Sequence, residues 1–197
     1  MLPLTGLRVV AVEQYGAGPF GTQHLADLGA DVIKIESRAG GGDVSRSVGP
    51  HFIEGAEGSA ASLFFQGINR NKRSITLDLT SDEGRAVFHD LVRSADAVSG
   101  NNRGDVHEKL GLTYAALGPI KPAIVCAHLT GYGREGSRAK WPGYDFLMQA
   151  ETGYFSVTGE PDGPPARMGL SVVDFMAGSY MALGIVSAVM QARETGI

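Results

Sequence analysis

Leu7-Arg-Val-Val-Ala-Val-Glu13 is a short apolar, β-branched run flanked by glycine, and Asp31-Val-Ile-Lys-Ile-Glu36 is a second one. Between them lie a glycine-rich turn, Gln14 to Gly21, and a helical pattern from Thr22 to Leu28 that stops at Gly29. Short apolar runs bounded by turn residues read as buried strands. Two strands joined through a helix run parallel with a right-handed crossover, and a parallel sheet needs helices on its faces. This opening constrains the chain to an α/β fold, a Rossmann-like parallel sheet flanked by helices.

The remaining sequence continues that alternation. Residues 37–69 are polar and glycine-rich with no sustained period, which predicts a long loop. Arg73 to Leu79 places Ile75, Leu77 and Leu79 on one face, a strand of period two. Thr80-Ser-Asp-Glu83 fits a capping box and predicts a helix carrying Val87, Phe88, Leu91 and Val92 as its apolar stripe. Ala95 to Ser99 and Ala123 to Leu129 are further strands, with a helix from Val106 to Leu117 broken near Gly111. Helices follow over Tyr144 to Ala150 and from about Val173 to Glu194, the latter read as a long buried helix. The 197 residues are expected to form a single α/β domain, a size that buries roughly 70% of the unfolded surface.

Composition narrows the function classes. Hydrophobic residues are 43% and charged residues 19%, outside the disordered regime. A net charge of -4 offers no basic footprint for nucleic acid or an anionic membrane surface. The one cysteine, Cys126, precludes a disulfide framework and reads as a small buried strand residue; the five histidines lack paired spacing, so no metal site is expected. Val172 to Met190 is apolar but contains Asp174, which argues for a packed helix rather than a membrane span. The N-terminus lacks signal-peptide character, giving a cytoplasmic expectation.

Two local features carry chemistry. Gly16-Ala-Gly-Pro-Phe-Gly21 matches the dinucleotide fingerprint, with Glu36 at the end of the next strand. However, its first glycine lies beyond Glu13 and two more residues, and Pro19 removes an N–H where phosphate needs donors. The fingerprint is therefore read as a strand-to-helix turn, compatible with some other phosphorylated ligand. Asp174 lies where an apolar run enters the last helix, after the loop Gly159-Glu-Pro-Asp-Gly-Pro-Pro165. There it is either a helix cap or a covalent nucleophile, and the macrodipole is expected to favour its ionised form.

Several ordered segments together resemble the class III CoA-transferases, the superfamily of formyl-CoA transferase, carnitine CoA-transferase and α-methylacyl-CoA racemase. They include Pro3-Leu-Thr-Gly-Leu-Arg-Val-Val, Leu25-Ala-Asp-Leu-Gly-Ala-Asp-Val-Ile-Lys-Ile-Glu36, Asn71-Lys-Arg-Ser-Ile-Thr-Leu-Asp78, Gly131-Tyr-Gly133, Gly143-Tyr-Asp145 and Val173-Asp174. The resemblance implies acyl-CoA and carboxylic acid substrates and an aspartyl mixed anhydride formed on Asp174. It also implies coenzyme A contacts at Gly16 and Ala17, from Leu77 to Thr80, and at Asn101, Asn102 and Arg103. Thr130, Gly131, Tyr132 and Gly133 would line the pantetheine path, and Lys109 with Arg38 or Arg103 would meet the CoA phosphates.

The chain departs from the family pattern in three places. Gly100-Asn-Asn-Arg-Gly-Asp105 lacks the usual aromatic, Gly16 replaces the glutamine of formyl-CoA transferase, and the match covers only the N-terminal half. A homo-oligomer, or a partner chain supplying the C-terminal half, is the implied context. Two alternatives stay open: a racemase, although Tyr144-Asp145 stands where that subgroup has a His-Asp pair, and a non-catalytic CoA-binding or scaffold subunit.

Overall fold

The computed structural model describes residues 1–53 and 62–197. Strands β1 (Arg8–Val12), β2 (Asp31–Glu36), β3 (Arg73–Thr76), β4 (Ala97–Gly100) and β5 (Val125–His128) form one parallel sheet in the order β3-β2-β1-β4-β5. The helices are α1 (Ala17–Asp27), α2 (Leu63–Asn69), α3 (Asp82–Ser94), α4 (Gly104–Lys109), α5 (Tyr114–Leu117), α6 (Asp145–Glu151) and α7 (Val172–Thr195).

Strand β1 is buried on both faces because its side chains alternate between two apolar layers. Val9 and Ala11 join Leu25 and Ala26 of α1 and Ala182, Ile185 and Val189 of α7. Val10 and Val12 join Phe88 and Val92 of α3, Leu112, and Leu117 of α5. Chain order reverses between β1 and β4, so the loops after these strands flank the sheet's topological switch point. Open α/β sheets bind ligands in that crevice.

Several boundaries differ from expectation for identifiable reasons. Helix α1 begins at Ala17 rather than Thr22, so Pro19 falls in its first turn, where an N–H has no intrahelical partner. The predicted loop over 37–69 contains α2, capped by the Ser62 hydroxyl accepting from Phe65 N–H; its part over 54–61 lies outside the described residues. Strand β3 ends at Thr76, short of Leu79. The capping box shifts by one residue: Ser81 caps α3 through Gly84 N–H, while Thr80 bonds to Asp78 instead. The break near Gly111 is real, with a φ of 69° there separating α4 from α5. Cys126 is only half-buried, because β5 is an edge strand.

The last helix is buried along one face only. Gly178, Ala182, Ile185, Val189 and Ala192 form its buried stripe, while Tyr180, Leu183 and Met190 are 68%, 62% and 64% exposed. By length and composition α7 is apolar enough to cross a membrane, yet its stripe packs against α1 and the sheet. The approach to α1 is backbone on backbone: a Cβ at Gly21 would strike the Gly178 carbonyl, and one at Gly178 would strike the Ala17 carbonyl.

Candidate active site

Asp174 occupies the first turn of α7 but does not cap it. Ser171, at the N-cap position, makes no capping bond through its side chain either. The cap comes from Asp145, whose Oδ2 accepts from the backbone N–H groups of Val173 (2.9 Å) and Asp174 (3.2 Å). Asp145 is buried at the first position of α6, and Gln149 one turn later donates from Nε2 to its Oδ1 at 2.5 Å. The same amide donates to the Leu170 carbonyl at 3.1 Å and accepts from Met168 N–H at 3.1 Å, fastening the segment that leads into α7. The i,i+4 pair Asp145 and Gln149 is a signal the sequence carried, since such spacing places both side chains on one helix face.

With the cap supplied from elsewhere, the Asp174 carboxylate turns toward the loop after β1. Its Oδ2 lies 2.3 Å from where a Cβ on Gly16 would sit, so a side chain there would push the carboxylate aside. Burial, and secondly the Asp145 charge, push Asp174 up to about 6. This corrects the expectation that the macrodipole would favour its ionised form. A dipole contribution of about 0.3–1 kcal/mol is smaller than the cost of confining two carboxylates in a half-buried site. At neutral pH the carboxylate is still ionised, and a partly desolvated carboxylate is suited to attack an acyl carbon.

The same contacts account for the glycines of the dinucleotide fingerprint. Gly16 makes room for Asp174, Gly18 for Asn101, whose Cγ would be 2.8 Å from an added Cβ, and Gly21 for the Gly178 carbonyl. A carboxylate therefore sits at the N-terminus of α1, where a dinucleotide would place its phosphates.

The other predicted positions gather on the carboxyl edge of the sheet in separate groups. Gly16 and Ala17 lie at the start of α1 beside Asp174. Both amide atoms of Asn101 bond to Gln14, accepting from its N–H at 2.9 Å and donating to its carbonyl at 2.8 Å; Asn102 donates to the Val12 carbonyl at 3.2 Å. Arg103 and Lys109 converge on Asp105, at 3.5 and 2.8 Å. They are not free cations; Lys109 borders a cavity of about 630 Å³ lined also by Asp105, Glu108, Arg134, Ser137 and Lys140. Arg134 and Lys140 were missed in the sequence because they lie in a loop with no period.

Arg38 is exposed after β2, and Arg103 follows β4, the two strands that flank β1. Leu77 and Thr80 follow the edge strand β3, with Leu77 half-buried and Thr80 exposed. Thr130 accepts from Gly133 N–H at 2.8 Å, closing the loop after β5. Gly131 packs against Gly143, a Cβ there being 2.6 Å from the Gly143 Cα, and the Tyr132 ring meets Trp141 edge-on at 5.8 Å. The Thr130–Gly133 loop is thereby joined to the Gly143-Tyr-Asp145 segment. Tyr144 is exposed and stacks on Phe146 at 5.8 Å.

The family profile of CoA-transferase family III matches residues 4–197. The chain belongs to this family. A succinate–glutarate CoA-transferase of Agrobacterium fabrum is 42% identical to this family III chain over 195 residues, covering 98% of the chain and 48% of that protein. An acetyl-CoA:oxalate CoA-transferase of Acetobacter aceti is 41% identical, with the same coverage of 98% and 48%. The crystal structure of a CAIB/BAIF family protein from Brucella suis matches with a TM-score of 0.90 at 41% identity, covering 99% of this chain and 51% of that one. The family III chain spans about half the length of the curated relatives it matches.

Proposed function

We propose that the protein transfers coenzyme A between an acyl-CoA thioester and a carboxylic acid, with Asp174 as the covalent nucleophile. The Asp174 carboxylate attacks the thioester carbonyl, the C–S bond breaks, and CoA leaves as its thiolate. The mixed anhydride conserves the acyl activation. The acceptor carboxylate attacks the Asp174 carbonyl and displaces the donor acid. The thiolate then attacks the acceptor's acyl carbon, forming the new thioester and freeing the Asp174 carboxylate, so no water is consumed. The observation that carries this reading is the placement of Asp174: released from capping by Asp145 and turned against Gly16 beside the switch point. Backbone N–H groups of the surrounding loops would stabilise the oxyanion.

Lys109, Arg134 and Lys140 outnumber Asp105 and Glu108 around the 630 Å³ cavity, and this excess of positive charge supports it as the site for CoA phosphates. The names of two relatives, which involve succinate, glutarate and oxalate, support a short dicarboxylate as acceptor. The working enzyme includes a C-terminal half, in the same polypeptide or a partner chain. Asp174→Asn is expected to abolish transfer while leaving CoA affinity, measured by calorimetry, within about twofold. Hydroxylamine should trap the acylated wild-type side chain and fail on the variant. Undiminished transfer by Asp174→Asn would remove the covalent mechanism, and CoA binding without turnover by the intact protein would favour a scaffold subunit.

A further inference from the structure

The turn after β1 is held by side chains at four consecutive residues. The Val12 carbonyl accepts from Asn102, the Glu13 carbonyl from Lys34 Nζ at 3.1 Å, and Gln14 is bonded at both N–H and carbonyl by Asn101. Tyr15 N–H donates to Asp43 Oδ1 at 3.0 Å. Tyr15 has a φ of 65°, a left-handed conformation that costs a non-glycine residue about 1–2 kcal/mol and persists only where its surroundings enforce it.

Those surroundings are a buried, charge-balanced cluster. Lys34 and Asp43 are 1% and 3% exposed and pair at 2.7 Å, and the Asp43 carboxylate also accepts from Ser45 N–H and Oγ. Lys72 Nζ reaches Glu13 Oε1 at 2.9 Å and the Pro19 carbonyl of α1 at 2.7 Å, and Thr22 donates to the same Glu13 oxygen at 2.6 Å. Two ammonium groups and two carboxylates thus tie β1, β2 and α1 together behind the turn. Burying four charges costs several kcal/mol per ion before pairing offsets it, so this is an expensive way to hold a loop whose only requirement is solubility.

We propose that Asn101, Asp43 and Lys34 are positioning residues that lock the Gln14–Tyr15 backbone and so hold Gly16 against the Asp174 carboxylate. This rests on the nucleophile reading above and deepens it. It also reassigns Asn101 from the CoA contact that family resemblance implies, because both atoms of its amide are engaged by Gln14. Asn101 acts on the reaction through Gly16, by keeping water from the face of Asp174 that the turn covers.

The test compares Asn101→Ala and the near-isosteric Asn101→Asp, which retains the acceptor for Gln14 N–H but loses the donor to its carbonyl. Amide exchange at Gln14 and Tyr15 is expected to accelerate by about tenfold or more in Asn101→Ala, with a smaller rise in Asn101→Asp. Asp174, followed by carboxyl carbon NMR, should titrate nearer the ordinary carboxylate range. In the intact protein kcat should fall about 10–100-fold with KM for acyl-CoA within about twofold, the pattern of a displaced catalytic group. Unchanged exchange and titration in both variants would overturn the proposal, as would a raised KM with kcat unchanged, the sign of a direct CoA contact. Exchange and titration do not depend on chemistry at Asp174. A loosened turn alongside full activity of Asp174→Asn would therefore sink the nucleophile reading alone.

Discussion

Removing the charge of Asp174 should stabilise the fold while it destroys the reaction. Burial and Asp145 raise this carboxyl from 3.8 to about 6. Because the folded value lies above the unfolded one, the native state loses stability as pH rises between them. Well below pH 3.8 the group is protonated in both states and costs nothing extra. Above about pH 6 the folded protein carries a confined anion at a cost on the order of 3 kcal/mol, from roughly 1.4 kcal/mol for each pH unit of displacement. Asp174→Asn keeps the shape and removes the anion. Urea unfolding at pH 8 should therefore show the variant more stable by up to about 3 kcal/mol, a midpoint displacement of roughly 1–1.5 M for an m-value near 2 kcal/mol/M. At pH 3 the two midpoints should nearly coincide. A gain that is independent of pH, or absent at pH 8, would refute the assignment of strain to the Asp174 charge.

Asp145→Asn turns an –NH2 group toward either the α7 N-terminus or Gln149, leaving buried donors facing one another, and should cost about 1–3 kcal/mol. It should also lower the proton affinity of Asp174, which carboxyl NMR would read, by deleting the neighbouring charge. Gly178→Leu drives a side chain into the Ala17 carbonyl, so thermal unfolding should report a loss of roughly 3 kcal/mol. Burial alone would raise Glu36, but Arg46, Ser74 and Asp43 N–H bring it down to about 2. Its contribution, roughly 3 kcal/mol, is present above pH 4.5 and fades as pH falls toward 2, so the penalty of Glu36→Gln in urea titrations should shrink over that range.

The strands were legible because β1 and β2 are short apolar runs, and their burial on both faces follows from parallel pairing. The covered side of α7 was not, since a helix apolar all round offers no period to say which face meets the sheet. Thr80 and Ser81 are equally good caps by type; Asp78 decided between them by engaging Thr80. The proton affinity of Asp174 depends on Asp145, distant in sequence, and on a fold that brings both to one helix start. Part of the buried cluster was open to inference, because Lys34 stands in the middle of an apolar strand and a lysine there requires a buried counter-charge. That its partner is Asp43, in a loop without period, was beyond local sequence.

The three glycines of the turn answer to three separate neighbours, a carboxylate, an amide side chain and a carbonyl. Their spacing mimics a nucleotide signature without sharing its cause. A side chain at position 18 would meet both Asn101 and Glu13, whereas position 21 stays locked until α7 moves away. A pattern search would group these residues as one motif, but each is held to glycine by a different contact.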